Sequence, residues 1–104
     1  MNEDNFAVRL AQLRTQKGVS ARDMSLSLGQ SESYINKIEN KRTFPSIPAF
    51  FYICEFLGVT PEEFFAEGNR YPERLHGIME DLKKLDDKAL ESVSSVVTEI
   101  IRKK

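Results

Sequence analysis

With 104 residues and a formal net charge of -1, the chain has the length of one domain that folds without metal or disulfide, and it is no uniformly basic, histone-like nucleic-acid binder. Its single cysteine, Cys54, excludes an intramolecular disulfide and a Cys-rich zinc site, which fits a reducing cytoplasm. No apolar run approaches the roughly 20 residues needed to cross a bilayer, and the opening MNEDNFAVRL has no signal-peptide core, so no membrane association is expected.

Apolar residues recur at intervals of three and four, and the breaks between them carry capping chemistry, so the expected fold class is all-α. A first helix is expected from about Asn5 to Lys17, with Phe6, Leu10 and Leu13 on one stripe and Gly18 as its left-handed stop. Ser20 caps a second helix in which Asp23 can complete a capping box, Met24 and Leu28 point inward and Gly29 ends the run. Ser31 is expected to cap a third helix over residues 31–41, anchored by Ile35 and Ile38. Pro45 breaks the pattern, and Ser46 caps a fourth helix, IPAFFYICEFL, which is apolar nearly all round and closed by Gly58. TPEE at residues 60–63 is a strong start signal for a short fifth helix ending near Ala66.

The stretch EGNRYPE has Gly, Asn and Pro and no apolar stripe, and it divides the chain into residues 1–67 and 68–104. Two more helical patterns follow, from about Pro72 to Leu85 and from about Asp87 to Arg102. The last carries Leu90, Val93, Val96, Val97, Ile100 and Ile101, a stripe too broad for a free surface helix. It is expected to pack on the preceding helix and on a second copy of the chain, making 68–104 a dimerisation hairpin. Packing within one chain alone is the alternative.

Charge is unevenly spread. Between Arg9 and Pro45 lie Arg9, Arg14, Lys17, Arg22, Lys37, Lys41 and Arg42 against Asp23, Glu32 and Glu39, whereas Ser46 to Glu67 carries only Glu55, Glu62, Glu63 and Glu67. The positive window contains the most informative unit, two capped helices joined by a Gly-centred turn within residues 20–41. Helices that close need a small residue at the crossing and a turn residue that tolerates positive φ, needs met by Ser25 and Gly29. This spacing describes a helix-turn-helix. At about 100° per residue, Ile35, Ile38 and Ser31 share one side of the third helix with Glu39 beside them. Ser33, Lys37 and Asn40 lie opposite, with Asn36 and Glu32 at the margin. Such side chains suit base edges and phosphates, although an ordinary solvated helix face has the same character.

Over residues 6–65, the segments RLAQLRTQKGVS, MSLSLGQSESYINKIENK, FPS and FLGVTPEEFF resemble the XRE family, the Cro and lambda-repressor type of helix-turn-helix regulator. The resemblance implies a five-helix DNA-binding domain, here followed by a two-helix extension. It implies that the third helix enters the major groove of a double-stranded operator, usually as a homodimer, and that repression is the commoner outcome. It further implies an ion pair between Arg14 and Glu39 that orients the reading helix. Carried over by position, Ser31, Glu32, Ser33 and Lys37 become base readers, and Ser20, Arg22, Asn36, Asn40, Lys41 and Arg42 become phosphate contacts, helped by backbone amides where the second helix starts. Three positions depart from the pattern. Ala21 stands where glutamine is common, Ser25 where alanine is usual, and Lys41 where glycine often ends the third helix, so Asn40 or Lys41 must adopt the strained turn or the helix must end differently.

Other chemistry has little support. Cys54 lies on the apolar stripe with Phe50, Ile53 and Leu57, which favours core packing over a catalytic pair with His76, and no metal motif, phosphate loop or nucleophile elbow is present. Neither enzyme activity nor a cofactor is expected. Phe50, Phe51, Tyr52 and Phe56 cannot all face one small core, so the fourth helix calls for a second covering surface, from a partner subunit or the C-terminal hairpin. The alternative function is a protein-interaction adaptor or antitoxin-like protein that binds a protein partner through that aromatic helix and the C-terminal helices.

Overall fold

The computed structural model describes residues 2–66 and 68–103, and every regular element among them is an α-helix. In order these are α1 (Glu3–Lys17), α2 (Ala21–Ser27), α3 (Tyr34–Glu39), α4 (Ile47–Leu57), α5 (Pro61–Phe65), α6 (Pro72–Leu82) and α7 (Asp87–Arg102). The all-α expectation holds.

Local chemistry explains most boundaries. α1 starts two residues ahead of the expected Asn5, because Asn2 and Asn5 cap each other reciprocally: each backbone N–H donates to the other's side-chain oxygen, at 3.2 and 2.9 Å. Gly18 and Gly58 end α1 and α4 in the left-handed region, at φ 79° and 72°. Ser20 Oγ accepts from Asp23 N at 3.0 Å, but among the described residues no return bond from Ser20 N to the Asp23 carboxylate completes that box. At α5 the full box forms between Thr60 and Glu63, at 2.8 and 3.1 Å. α6 stops at Leu82 rather than Leu85, because the chain turns there and Asp86 then caps α7 by accepting from Ala89 N at 2.8 Å.

By contacts the chain divides into one compact unit ending at Glu73 and another starting at Arg74. The expected boundary after residue 67 falls at Glu67, outside the described residues. In the first unit, α1 packs on α3, α4 and α5, α2 on α3, and α4 on α5. Phe6, Leu10, Leu13, Met24, Ile35, Ile38, Ile53, Cys54, Leu57, Val59 and Phe64 form its core. Each large member removed from water contributes on the order of 1.5–3 kcal/mol. Burial pushes the Cys54 thiol up to about 11, so it stays protonated and is a packing group.

Part of the fourth helix's aromatic surface is used inside this unit. Phe50 lies edge-on to Phe64 at 5.2 Å and tilted against Phe6 at 5.7 Å, and Phe56 packs against the core. Phe51 and Tyr52 stay exposed, as do Phe44 and Phe65.

Among its described residues the second unit has no comparable interior. α7 buries none of its residues, and Leu75, Ile78, Met79, Leu90, Val96, Val97, Ile100 and Ile101 are all exposed. No helix among the described residues is long and apolar enough to cross a membrane.

Candidate nucleic-acid interface

The α2–α3 unit is built around one buried serine. Met24 and Ser25 turn inward from α2, Gly29 takes φ 73°, and Gln30 N donates back to Ser25 O at 3.0 Å, which reverses the chain within a few residues. Ser25 Oγ donates to Ala21 O at 2.7 Å and accepts from Ile35 N at 2.9 Å. Ile35 lies in the first turn of α3, where backbone donors have no partner within the helix. α2 therefore supplies the cap for α3 from outside.

This corrects the expected start of the third helix. Ser31–Ser33 form a turn in which Ser31 O accepts from Tyr34 N at 3.0 Å, and Ser33 occupies the cap position without a side-chain cap bond. The helix covers Tyr34–Glu39 rather than 31–41, because the tertiary bond from Ser25 replaces the local cap assigned to Ser31. Ser25→Ala is expected to strand a buried N–H and lower stability by about 1–3 kcal/mol in urea unfolding, though alanine fits the space. A loss below about 0.5 kcal/mol would show that α3 does not depend on this cap.

The other end of α3 is tied to α1. Arg14 grips Glu39 through two parallel bonds, Nε to Oε2 at 2.7 Å and Nη2 to Oε1 at 2.9 Å, while its Nη1 donates to Val19 O at 2.9 Å. Both side chains are largely shielded, and the hydrogen bond to Glu39 raises Arg14 above the usual arginine value. Just beyond α3, Asn40 keeps φ -93° and Lys41 takes φ 63°, the left-handed conformation that a glycine adopts without strain. Lys41→Gly is expected to raise stability by about 0.5–1 kcal/mol, net of glycine's larger unfolded-state entropy. Destabilisation on the same urea curves would mean that the lysine side chain outweighs the strain.

The candidate contact residues lie on the outside of this frame. Ser20, Arg22, Ser31, Glu32, Asn36, Lys37, Asn40, Lys41 and Arg42 are exposed, and Ser33 is half-buried. Ile35 and Ile38 point inward from the same helix, so Asn36 and Lys37 are carried on its outer side. Several of these groups engage one another. Arg22 Nε donates to Glu32 Oε2 at 3.1 Å, and Asn40 Nδ2 donates to Asn36 O at 2.8 Å and Asn36 Oδ1 at 3.0 Å. Lys41 Nζ lies 3.4 Å from Asp4 Oδ1. Among the described residues no cluster of His, Cys, Asp and Glu could hold a metal ion.

Two residues have roles that the sequence pattern does not announce. Arg9 belongs to the positive window by sequence, yet it is buried, with Nε on Phe64 O at 2.6 Å and Nη2 on Glu63 O and Ala66 O at 2.8 and 3.1 Å. Its position three after Phe6 and four before Leu13 on the apolar stripe was the available signal. Asp4 has no sequence signal beyond an acidic first turn, and only the fold brings it to Lys41.

Residues 7–69 match a family described as a helix-turn-helix domain. That stretch contains α2, the turn and α3, and the match supports the XRE-like resemblance carried by the same residues. No curated protein and no solved structure gave a significant match.

Proposed function

Because the chain belongs to the helix-turn-helix domain family, matched over residues 7–69, we propose that it is a cytoplasmic transcriptional regulator, a repressor, that binds a specific double-stranded operator as a homodimer. In this reading α3 and the turn before it enter the major groove. Ser31, Glu32, Ser33 and Lys37 meet base edges, and Ser20, Arg22, Asn36, Asn40, Lys41 and Arg42 meet phosphates. The Arg14–Glu39 pair holds α3 at its angle to α1.

The family match is the observation that carries this reading. Support comes from the outer side of α3, where Lys37 and Asn36 stand clear of the buried isoleucines. Residues 68–104 are assigned to dimerisation through Leu90, Val93, Val96, Val97, Ile100 and Ile101. A 16-residue helix that buries nothing favours a second copy as the cover for that stripe. Exposed Phe44, Phe51 and Phe65 favour a second reading, in which the same fold binds a protein partner.

Selection of random duplexes by the purified chain tests both readings. A regulator enriches one motif, with two half-sites about one helical turn apart if it binds as a dimer, and loses affinity steeply as salt rises. A partner-binding adaptor enriches nothing and binds no duplex even at low salt, which would overturn the DNA-binding assignment.

A further inference from the structure

Of the four cations assigned to the interface, two are already engaged by carboxylates of the same chain. Arg22 is held by Glu32 at 3.1 Å and Lys41 by Asp4 at 3.4 Å, whereas Lys37 and Arg42 have no carboxylate partner among the described residues. All four members of the two pairs are more than half exposed. Ion pairs this open to water add little to stability, so the fold does not need them. Asp4 also has a local role at the positive end of α1, but Glu3 shares it.

What the two pairs have in common is their position, one at the start of α2 and the other just after α3. Lys41 makes the point most clearly. It occupies a left-handed backbone position that glycine would fill without strain, so this chain carries a cation there at a conformational cost and places an acid beside it.

We infer that Asp4 and Glu32 are affinity-limiting residues of the proposed interface, competing with DNA phosphate for Lys41 and Arg22 and so lowering binding to duplex of any sequence. The inference rests on the DNA-binding reading. A phosphate that reaches Lys41 or Arg22 must displace a carboxylate, and the displaced carboxylate then remains close to the backbone and repels it. Phosphate contacts supply nearly all the affinity for random duplex and are made on the operator as well, so both kinds of site lose affinity by the same factor. Base contacts on the operator add affinity on top of that, and the ratio between the two kinds of site is unchanged.

The test uses the full chain, Asp4→Asn, Glu32→Gln and the double variant, titrated by fluorescence anisotropy with a random-sequence duplex and with the selected operator over a series of salt concentrations. Asp4→Asn is the cleaner arm, because Asp4 is assigned no base contact. Each substitution is expected to raise affinity for random duplex about three-fold, with a steeper salt dependence, and Asp4→Asn is expected to raise operator affinity by the same factor. Glu32→Gln is also expected to alter the preferred base at one position, a change that Asp4→Asn does not make. Unchanged affinity for random duplex, or a gain on random duplex that the operator does not share with Asp4→Asn, would overturn the inference and leave the DNA-binding reading standing. Failure of wild type and every variant to bind any duplex at low salt would remove both.

Discussion

Replacing Arg9 with methionine is expected to lower the stability of the first unit by about 3 kcal/mol or more, although Arg9 is itself no candidate DNA contact. A buried guanidinium is tolerated only when its donors are satisfied, and Arg9 satisfies them with Phe64 O, Glu63 O and Ala66 O and with Gln12 Oε1 at 3.1 Å. The carbonyls belong to the last turn of α5 and the residue after it, and although Glu63 O also accepts from Ala66 N and Ala66 O from Asn69 N, each has room for the guanidinium as a further donor. Methionine matches much of the length and restores none of the bonds. Lysine keeps the charge but has no planar fork, so Arg9→Lys is expected to recover less than half of the loss. Urea unfolding of the three proteins checks this, and a methionine variant within about 1 kcal/mol of wild type would contradict the role assigned to Arg9.

Lys37→Ala is expected to have the opposite profile. The side chain is exposed on the outer side of α3, so its removal should change stability by no more than about 0.5 kcal/mol. Operator binding should weaken by about 1–3 kcal/mol, with the preference relaxed at one base position. Repeating the duplex selection with the variant measures both. An unchanged motif would remove Lys37 from the base readers, and a uniform loss on all duplexes would reassign it to a phosphate.

The contrast between these residues shows which physical signals reach the sequence. Boundaries set by local chemistry were legible: Gly18 and Gly58 end helices because of their own backbone freedom, and TPEE starts one because its partners are three residues apart. Boundaries set by tertiary contacts were not. Ser31 looks like a cap, but the group that satisfies the start of α3 comes from Ser25 on another helix, so the helix begins at Tyr34. Ser25 itself was legible as a small residue at a crossing, but its two hydrogen bonds were not.

At Lys41 the sequence permits several ways to end α3, and only the backbone, with Lys41 at φ 63°, chooses between them. Charge counting failed at Arg9 for a related reason: it treats every arginine as surface, and the acceptors that draw this one inside lie on a helix far away in sequence. The exposed face of α3 was legible because two isoleucines three residues apart determine which side of a helix is left over.

The partners of Arg9 lie 54 to 57 residues further along the chain. Phe6 likewise meets Phe64, at a ring separation of 4.9 Å. A ribosome delivers α1 first, so through most of synthesis the helix exists without the carbonyls and the ring that will bury it. The α2–turn–α3 unit, joined by contacts about ten residues apart, can form long before that. Completion of the first unit therefore waits for α5, and a nascent chain that stalls before Phe64 leaves α1 with an apolar stripe and an arginine that have nowhere to dock.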